Sequence, residues 1–278
     1  MSKEIRTKAE MAKEGNSCVL SLLFIAGIGL YFIYPPLSII AGIIFIYWAY
    51  NSSKEINQLE KSGQVYLGEK AELLNLENIN SNSTPFSVVV DVETTGLLVD
   101  DTVPTIKKVK ANPNWYPRIV QIAWITLNRN YEVVTQENFY IKQTEPIPED
   151  AIKIHGISNE ICDTKGVEIT EVLLKFKQSI ADCDYVVGHN VMFDKYVIEA
   201  ECIKNAIPKP FKYMKKYDTM VMGRSIQKRR KFKLEDLAKS IFGNDLNSNN
   251  KIKFHDAKSD VWLTSSIFVA LHKNDIKF

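Results

Sequence analysis

The chain has 278 residues, a formal net charge of +2 and four cysteines. This length allows one catalytic domain plus a smaller segment, and the near-neutral charge excludes a protein that is basic over its whole surface. The cysteines show neither paired nor C-x-x-C spacing, so the sequence argues against a disulfide framework and favours a reducing compartment.

A long apolar stretch lies near the start of the sequence. Residues 18–50 contain no charged residue, whereas one bilayer span needs only about 20 residues. Pro35 and Pro36 interrupt the stretch, because proline ends a helix and restricts the residue before it. We therefore predict a helical membrane hairpin, with helices at 18–34 and 37–50 and the lipid bilayer as partner. A re-entrant or interfacial element, or a buried helix pair, is the alternative.

Basic residues flank this stretch on both sides. They are Lys3, Arg6, Lys8 and Lys13 before it and Lys54 and Lys61 after it. Basic residues near the ends of a span prefer the cytoplasmic side. We therefore expect residues 1–17 to be a cytoplasmic N-terminus and the rest of the protein to face the cytoplasm from the inner membrane. Residues 51–84 resemble a connector with a flexible Asn- and Ser-rich end, and residues 85–278 form the predicted domain.

Within the predicted domain, the apolar pattern alternates between strand and helix periods. It predicts strands at 86–92, 119–127, 131–141 and 184–188, and helices at about 168–181, 191–205, 234–241 and 257–272. The turn Asn128-Arg129-Asn130 would join the second and third strands as a hairpin. This succession predicts an α/β fold with a mixed sheet flanked by helices.

Two carboxylates follow the first apolar run, VVVDVETTGL at residues 88–97. Asp91 and Glu93 are two residues apart and would lie on the same face of a strand. A wholly apolar run predicts a central strand, and central strands of α/β sheets hold their chemistry at their carboxyl ends. By itself, an acidic pair in this place is more often a solvated strand end or a helix cap.

Two later motifs supply further polar groups. The sequence VVGHNVMFD breaks at Gly188 into a helix that carries Asp194, and FHDAKSD places His255 five residues before Asp260. Taken singly, Asp194 could be a surface carboxylate and His255 a capping residue. Together with the first pair they provide four carboxylates, which as hard oxygen ligands suit Mg²⁺ or Mn²⁺.

The three motifs, in this order, resemble those of the DEDDh 3′–5′ exonucleases. That family includes the proofreading epsilon subunit of bacterial DNA polymerase III, RNase T and oligoribonuclease. Its D-x-E-T-T-G, H-N-x-x-F-D and H-x-A-x-x-D patterns match residues 91–96, 189–194 and 255–260. IHGIS at 154–158 and the pair Asp218–Thr219 are softer matches. The resemblance covers about residues 86–272 and implies an RNase H-like fold with one antiparallel strand.

The resemblance also implies roles for individual residues. Asp91 would bridge two divalent ions, Mg²⁺ or Mn²⁺, while Glu93 and Asp260 complete the ion that binds the attacking water and Asp194 helps to hold the other. His255 would be the general base, which an ordinary imidazole pKa near 6.5 permits. The pocket for the terminal nucleotide would involve Thr94, Thr95, Gly96, Leu97, His189, Asn190 and Phe193.

The expected substrate is the 3′ end of single-stranded nucleic acid, DNA in preference to RNA, with nucleoside 5′-monophosphates as products. Residues 203–233 hold eleven Lys or Arg and one acid, Asp218, and such a segment could neutralise phosphates. Tyr213, Tyr217 and Phe232 are interleaved with the basic residues and could stack on bases. A solvated loop, or one resting on anionic lipid headgroups, is the alternative for this segment.

Two other functions stay open at this point. One is an RNA-processing exoribonuclease of the same fold, and the other is a membrane-anchored nucleic-acid-binding protein whose nuclease fold is inactive. One departure from the family also stands out. Residues 96–118 form a longer loop than the compact members have, and it could serve as a lid, a base-stacking wall or an ordinary surface loop.

Overall fold

The computed structural model describes residues 73–227, 233–243 and 252–273. The predicted membrane hairpin at 18–50, the N-terminus at 1–17 and most of the connector at 51–84 lie outside these residues and stay predictions. Among the helices that are described, none is both long and apolar enough to cross a membrane.

The strands form one mixed sheet. They are β1 (Ser87–Thr94), β2 (Ile119–Leu127), β3 (Val133–Tyr140), β4 (Tyr185–Gly188) and β5 (Lys215–Asp218), in the spatial order β3-β2-β1-β4-β5. β2 is antiparallel to β1 and β3, whereas β4 is parallel to β1 and β5. The predicted mixed sheet with one antiparallel strand is therefore confirmed for the described residues.

Helices cover both faces of this sheet. In chain order they are α1 (Ile106–Ala111), α2 (Glu149–His155), α3 (Asn159–Lys165), α4 (Ile169–Ser179), α5 (Val191–Lys204), α6 (Thr219–Gln227), α7 (Leu234–Phe242) and α8 (Ala257–Lys273). All nine residues of β2 are buried, as expected for a strand with helices on both sides. The helices α4, α5, α7 and α8 agree with the four predicted ones, whereas α1, α2, α3 and α6 were not predicted from the sequence.

The alternation of side chains along β1 divides the core into two layers. Val88, Val90 and Val92 pack in the layer that holds residues of α4 and α5. Val89 packs with Val261 of α8 in the opposite layer. Since successive strand residues point to opposite faces, Asp91 and Glu93 lie on the α8 side of the sheet.

The chain just before β1 packs against the domain. Trp262 of α8 donates from Nε1 to the carbonyl oxygen of Leu74 at 2.8 Å, and the backbone N–H of Leu74 donates to Oγ of Ser266 at 2.9 Å. The N–H of Asn80 donates to the carbonyl oxygen of Val133 at 2.7 Å. A fragment that begins after residue 80 would lose these bonds, so the experiments below use the full chain.

Candidate active site

The carboxyl end of β1 brings together residues from three separate motifs. Asp91 and Glu93 come from β1 itself, Asp194 from the first turn of α5, and Asp260 from the first turn of α8. Burial, together with the charges of Asp194, Asp260 and Glu93, raises the pKa of Asp91 well above its usual range. Groups that shift one another's pKa in this way lie close together.

Asp194 is held against β1 by the start of α5. It is 3% exposed, and its Oδ1 accepts a hydrogen bond of 3.0 Å from the backbone N–H of Val92. A tight turn precedes the helix: Asn190 has φ 70°, and a Cβ on Gly188 would lie 3.1 Å from Val191. Glycine at 188 therefore lets the strand pass directly into the helix.

Asp260 and His255 are linked through the backbone. The N–H of His255 donates to Oδ2 of Asp260 at 3.1 Å, and His255 has φ 58°. One potential ligand atom from each of Glu93, His255 and Asp260 lies within 4.8 Å of the other two. The imidazole is exposed, so a water molecule can reach it beside two of the carboxylates.

Burial and mutual repulsion raise the pKa values of these carboxyl groups. Burial, with the charges of Asp260 and Asp194, raises the pKa of Glu93 to about 8. Burial also raises the pKa of Asp194 to about 8, against the lowering effect of the Val92 N–H. For Asp260, burial raises the pKa to about 7 although the His255 N–H opposes this. A cationic partner would relieve both the burial cost and the repulsion.

The donor set fits divalent cations. All four carboxylates offer hard oxygen ligands, which Mg²⁺ and Mn²⁺ prefer. Within the described part of the chain, Oδ1 of Asp260 is buried and has no hydrogen-bond partner. A buried polar atom without a partner is costly unless a ligand or ion satisfies it, so this oxygen is a candidate metal ligand.

Hydrogen bonds stabilise the turn that follows β1. Oγ1 of Thr94 donates to the carbonyl oxygen of Gly96 at 2.6 Å, and the Thr95 N–H donates to the carbonyl oxygen of Arg118 at 3.0 Å. In return, the Arg118 N–H donates to Oγ1 of Thr95 at 3.0 Å. The Leu97 side chain is 83% exposed, and a Cβ on Gly96 would meet nothing within 4 Å. These bonds hold an open, partly apolar edge beside Glu93.

The other predicted pocket residues lie around the start of α5. His189 Nδ1 and Thr219 Oγ1 are 2.9 Å apart, and the Asn190 N–H donates to Oδ1 of Asp218 at 3.0 Å. The softer sequence match at 218–219 thus has a structural purpose, which is to hold the turn before Asp194. Phe193 is partly buried and packs against the core.

The polar surroundings of the cluster include residues that the motifs did not identify. Gln121 of β2 donates to Asp256 and accepts from the Ala257 N–H, which fixes the turn after His255. Lys253 lies near Glu93, whose pKa its charge lowers, and Nζ of Lys253 is 3.4 Å from the position of a Cβ on Gly156. In the sequence, the only hint of a role for Gln121 was an amide within the apolar run of β2. No pattern in the sequence indicated that Lys253 would lie near the site.

The basic segment agrees only partly with its prediction. Lys215, Lys216 and Tyr213 are exposed, with Tyr213 at 85%. Tyr217 instead packs in an aromatic cluster, with its ring centroid 5.5 Å from that of Phe268. Tyr217 therefore contributes to the packing of the domain, and its expected role in base stacking stays a prediction. Residues 228–232, with Phe232, lie outside the described ranges.

Comparison with known proteins identifies the family of this chain. The family profile described as exonuclease matches residues 88–268. The chain belongs to the exonuclease family. A relative, the DNA polymerase III subunit epsilon of Rickettsia felis, is 30% identical over 186 residues, which cover 66% of this chain and 72% of that protein. The protein is accordingly a 3′–5′ exonuclease, a hydrolase of a family that uses divalent metals.

Solved structures agree on the fold. Escherichia coli exonuclease I in complex with a dT13 oligonucleotide is 20% identical with a TM-score of 0.52, over 68% of this chain and 41% of that one. Its zinc-bound complex with single-stranded DNA is 20% identical with a TM-score of 0.53, over 69% and 41% of the two chains. This exonuclease therefore spans less than half the length of exonuclease I, and the likeness shows the fold alone.

Proposed function

We propose that this exonuclease removes nucleoside 5′-monophosphates from the 3′ ends of single-stranded nucleic acid, with DNA as the favoured substrate. The observation that carries the proposal is the convergence of four carboxylates and His255 at the carboxyl end of β1. The preference for DNA is supported by the similarity to a DNA polymerase subunit and to an exonuclease that binds single-stranded DNA oligonucleotides.

Asp91, Glu93, Asp194 and Asp260 would hold two divalent ions, Mg²⁺ or Mn²⁺. When bound, such ions supply positive charge for the non-bridging oxygens and the leaving 3′-oxygen of a phosphodiester. Asp91 would be a ligand at the centre of this set, because its carboxyl interacts with all three of the others.

His255 would accept the proton of the attacking water. Its imidazole is exposed, and one of its nitrogens lies within 4.8 Å of oxygens of Glu93 and Asp260. A general base must lie within reach of the proton it removes, and this imidazole lies beside two candidate metal ligands and is open to water.

The turn after β1 would receive the terminal nucleotide. Thr94 and Thr95 keep this turn in place through hydrogen bonds, while Leu97 exposes an apolar side chain on which a base can rest. His189 and Asn190 would approach the same nucleotide from the start of α5.

The decisive experiment is a cleavage assay on the full chain. Single-stranded DNA and RNA oligonucleotides, each labelled at the 5′ or the 3′ end, are incubated with Mg²⁺, with Mn²⁺ or with a chelator. We expect a ladder that shortens from the 3′ end, release of 5′-monophosphates, faster cleavage of DNA, and no cleavage with chelator. Asp91→Asn should abolish the reaction.

A matched control is Asp184→Asn. Asp184 is an exposed carboxylate that pairs with Arg129 at 3.2 Å just before β4, and its replacement should leave cleavage unchanged. Shortening from the 5′ end, or activity in Asp91→Asn, would contradict the proposal. Faster cleavage of RNA would make the protein an exoribonuclease, and tight binding without cleavage would make it a binding protein.

We also propose that residues 18–50 anchor the enzyme in the inner membrane with its catalytic domain in the cytoplasm. The supporting observations are the uncharged stretch, its interruption at Pro35 and Pro36, and the basic residues on both flanks. Cell fractionation tests this: the full chain should stay with membranes in alkaline carbonate and enter solution with detergent. Release by carbonate or by salt would refute an integral hairpin.

A further inference from the structure

Gln121 is a buried amide in the otherwise apolar middle of β2. Its exposure is 0%, and in the β1–β2 ladder it lies directly opposite Glu93. Directly paired residues of antiparallel strands place their side chains on the same face. The amide is therefore next to the carboxylate cluster, and, being buried, it must find partners for both its oxygen and its nitrogen.

Three hydrogen bonds satisfy this side chain. Nε2 donates to Oδ1 of Asp256 and to Oδ1 of Asn138, each at 2.9 Å. Oε1 accepts from the backbone N–H of Ala257 at 3.2 Å. Two of the three partners directly follow His255 in the chain, so Gln121 connects β2 to the turn that carries the candidate base.

Asp256 links Gln121 to the start of α8 through further hydrogen bonds. Its Oδ2 accepts from the N–H and the Oγ of Ser259 at 3.2 and 3.1 Å, as a residue that caps the N-terminus of a helix does. The N–H of Asp260 donates to the carbonyl oxygen of Asp256 at 3.0 Å, and the N–H of His255 donates to Oδ2 of Asp260 at 3.1 Å. One network thus fixes both His255 and Asp260.

The backbone of His255 needs such support. Its φ of 58° lies in the left-handed region, which residues other than glycine occupy only when their surroundings impose it. The bonds of Gln121 to Asp256 and to the Ala257 N–H supply that constraint on the C-terminal side of His255. Without them the turn could relax and move the imidazole away from Glu93.

We propose that Gln121 is a positioning residue that holds His255 and Asp260 beside Glu93 by fixing the turn 255–257. The inference rests on the proposed metal-dependent cleavage, because its purpose is to preorganise that site. With Asp256 as its partner, position 121 requires an amide. A carboxylate there would repel Asp256, and a hydrocarbon would remove the hydrogen bonds that Oδ1 of Asp256 and the Ala257 N–H make with Gln121.

The test uses a donor–acceptor exchange in the full chain. Gln121→Glu should lower kcat for a single-stranded oligonucleotide by about 10- to 100-fold, as is usual when a residue that orients metal ligands is lost. KM should change little. The Mn²⁺ affinity of the substrate-free protein, followed by electron paramagnetic resonance of free Mn²⁺, should fall as well. In Gln121→Glu/Asp256→Asn the amide of residue 256 can donate to the new carboxylate, so both kcat and Mn²⁺ affinity should largely recover.

A second variant separates positioning from helix capping. Serine caps helix N-termini about as well as aspartate but is too short to reach Gln121. Asp256→Ser should therefore fold and melt nearly as the unmodified protein does, yet lose kcat to a similar extent. This variant tests the proposal even if Gln121→Glu does not fold.

Thr126→Val is the matched control on the same strand. Thr126 is also fully buried, and its Oγ1 lies 2.8 Å from Oγ1 of Thr135 and accepts from the Thr135 N–H at 3.1 Å, away from the site. It should reduce stability without changing kcat or Mn²⁺ affinity.

Unchanged kcat and Mn²⁺ affinity in Gln121→Glu would overturn the proposal, and so would a double variant no better than the single one. If the unmodified chain cleaves nothing, the proposed function fails, but Mn²⁺ affinity still decides whether Gln121 positions the ligands.

Discussion

The backbone N–H of Val92 donates a hydrogen bond of 3.0 Å to Oδ1 of Asp194, across 102 positions of sequence. Val92 lies between Asp91 and Glu93 on β1, and Asp194 lies in the first turn of α5. The bond therefore sets the position of the third carboxylate relative to the first two. A backbone donor also stays in place whatever the protonation state of the carboxyl group.

Asp194→Asn should separate catalysis from stability. The amide oxygen can still accept from Val92, but a neutral ligand binds a divalent ion weakly, so kcat should fall on the order of 1,000-fold, or about 4 kcal/mol. Metal-free protein at pH 9 should melt at a higher temperature, because burial raises the pKa of Asp194 to about 8 and the charged form is then disfavoured. Kinetics with Mg²⁺ and thermal melts with chelator measure the two effects. Activity within tenfold of the unmodified protein, or a lower melting temperature, would contradict the interpretation.

The stability of the metal-free protein should fall as pH rises. Burial raises the pKa values of Glu93 and Asp194 from the usual 4.5 and 3.8 to about 8. Between about pH 4 and pH 8 the folded state therefore binds more protons than the unfolded state, so each such group lowers stability by at most about 1.4 kcal/mol per pH unit.

Urea unfolding at several pH values, with chelator or with saturating Mn²⁺, checks this. The decline should be present with chelator and largely absent with Mn²⁺, since bound cations take the place of the protons. A metal-free stability that is constant or rises from pH 5 to pH 8 would be inconsistent with the raised pKa values.

The sequence was a good guide where burial imposes a pattern. The runs that became β1, β2 and β4 are apolar because helices cover both faces of the sheet, so their positions could be predicted. β5 was missed because this edge strand reads KKYD and exposes both of its lysines. An edge strand needs few apolar residues, and so it leaves little signal in the sequence.

The site likewise contains residues that could be predicted from the sequence and residues that could not. Three short motifs identified the candidate ligands, since a metal site demands particular residue types. The roles of Gln121 and Lys253 could not be predicted in the same way. Gln121 matters through the register that sets it opposite Glu93, and Lys253 through the fold of a loop that brings it over Gly156. Both are relationships across the chain, not local patterns.

Lys253 should help to bind the substrate backbone. Its side chain is exposed, its charge lowers the pKa of Glu93, and its ammonium has no hydrogen bond or ion pair to any residue that the structure describes. A phosphate that enters the site would be such a partner. Lys253→Met should raise KM for a single-stranded oligonucleotide about tenfold, and it should reduce the salt dependence of log KM by about 0.7.

Lys153→Met is the control for this prediction. Lys153 is an exposed lysine of α2, the helix that ends just before Gly156, and it pairs with Asp150 at 3.0 Å. Its loss should change neither KM nor the salt dependence. Equal effects of the two variants would mean that Lys253 contributes only general positive charge.

A buried ion-pair network fixes the long loop at 96–118 to α5. Glu199 is 2% exposed and forms ion pairs with Lys195 and with Lys209, the latter at 2.9 Å. Lys209 also donates to the carbonyl oxygen of Pro104 in the loop. Glu199 therefore holds the lysine that fastens the loop, on the same helix that carries Asp194.

Glu199→Ala should destabilise the domain by about 3 kcal/mol, the lower end of the range for a broken buried pair, because both lysines can turn toward solvent. For a domain of this size that corresponds to a melting temperature lower by about 6–12 °C. Asp150→Ala breaks an exposed pair, whose aspartate side chain is 94% exposed, and should cost less than about 1 kcal/mol. Thermal melts of the two variants measure the contrast.

Catalysis should be affected much less than stability. At a temperature where Glu199→Ala is folded, its kcat should stay within about threefold of the unmodified protein, a difference of about 0.6 kcal/mol. The reason is that Asp194 is held by Val92 and not by Glu199. A larger loss of kcat would mean that the loop and the metal site are coupled.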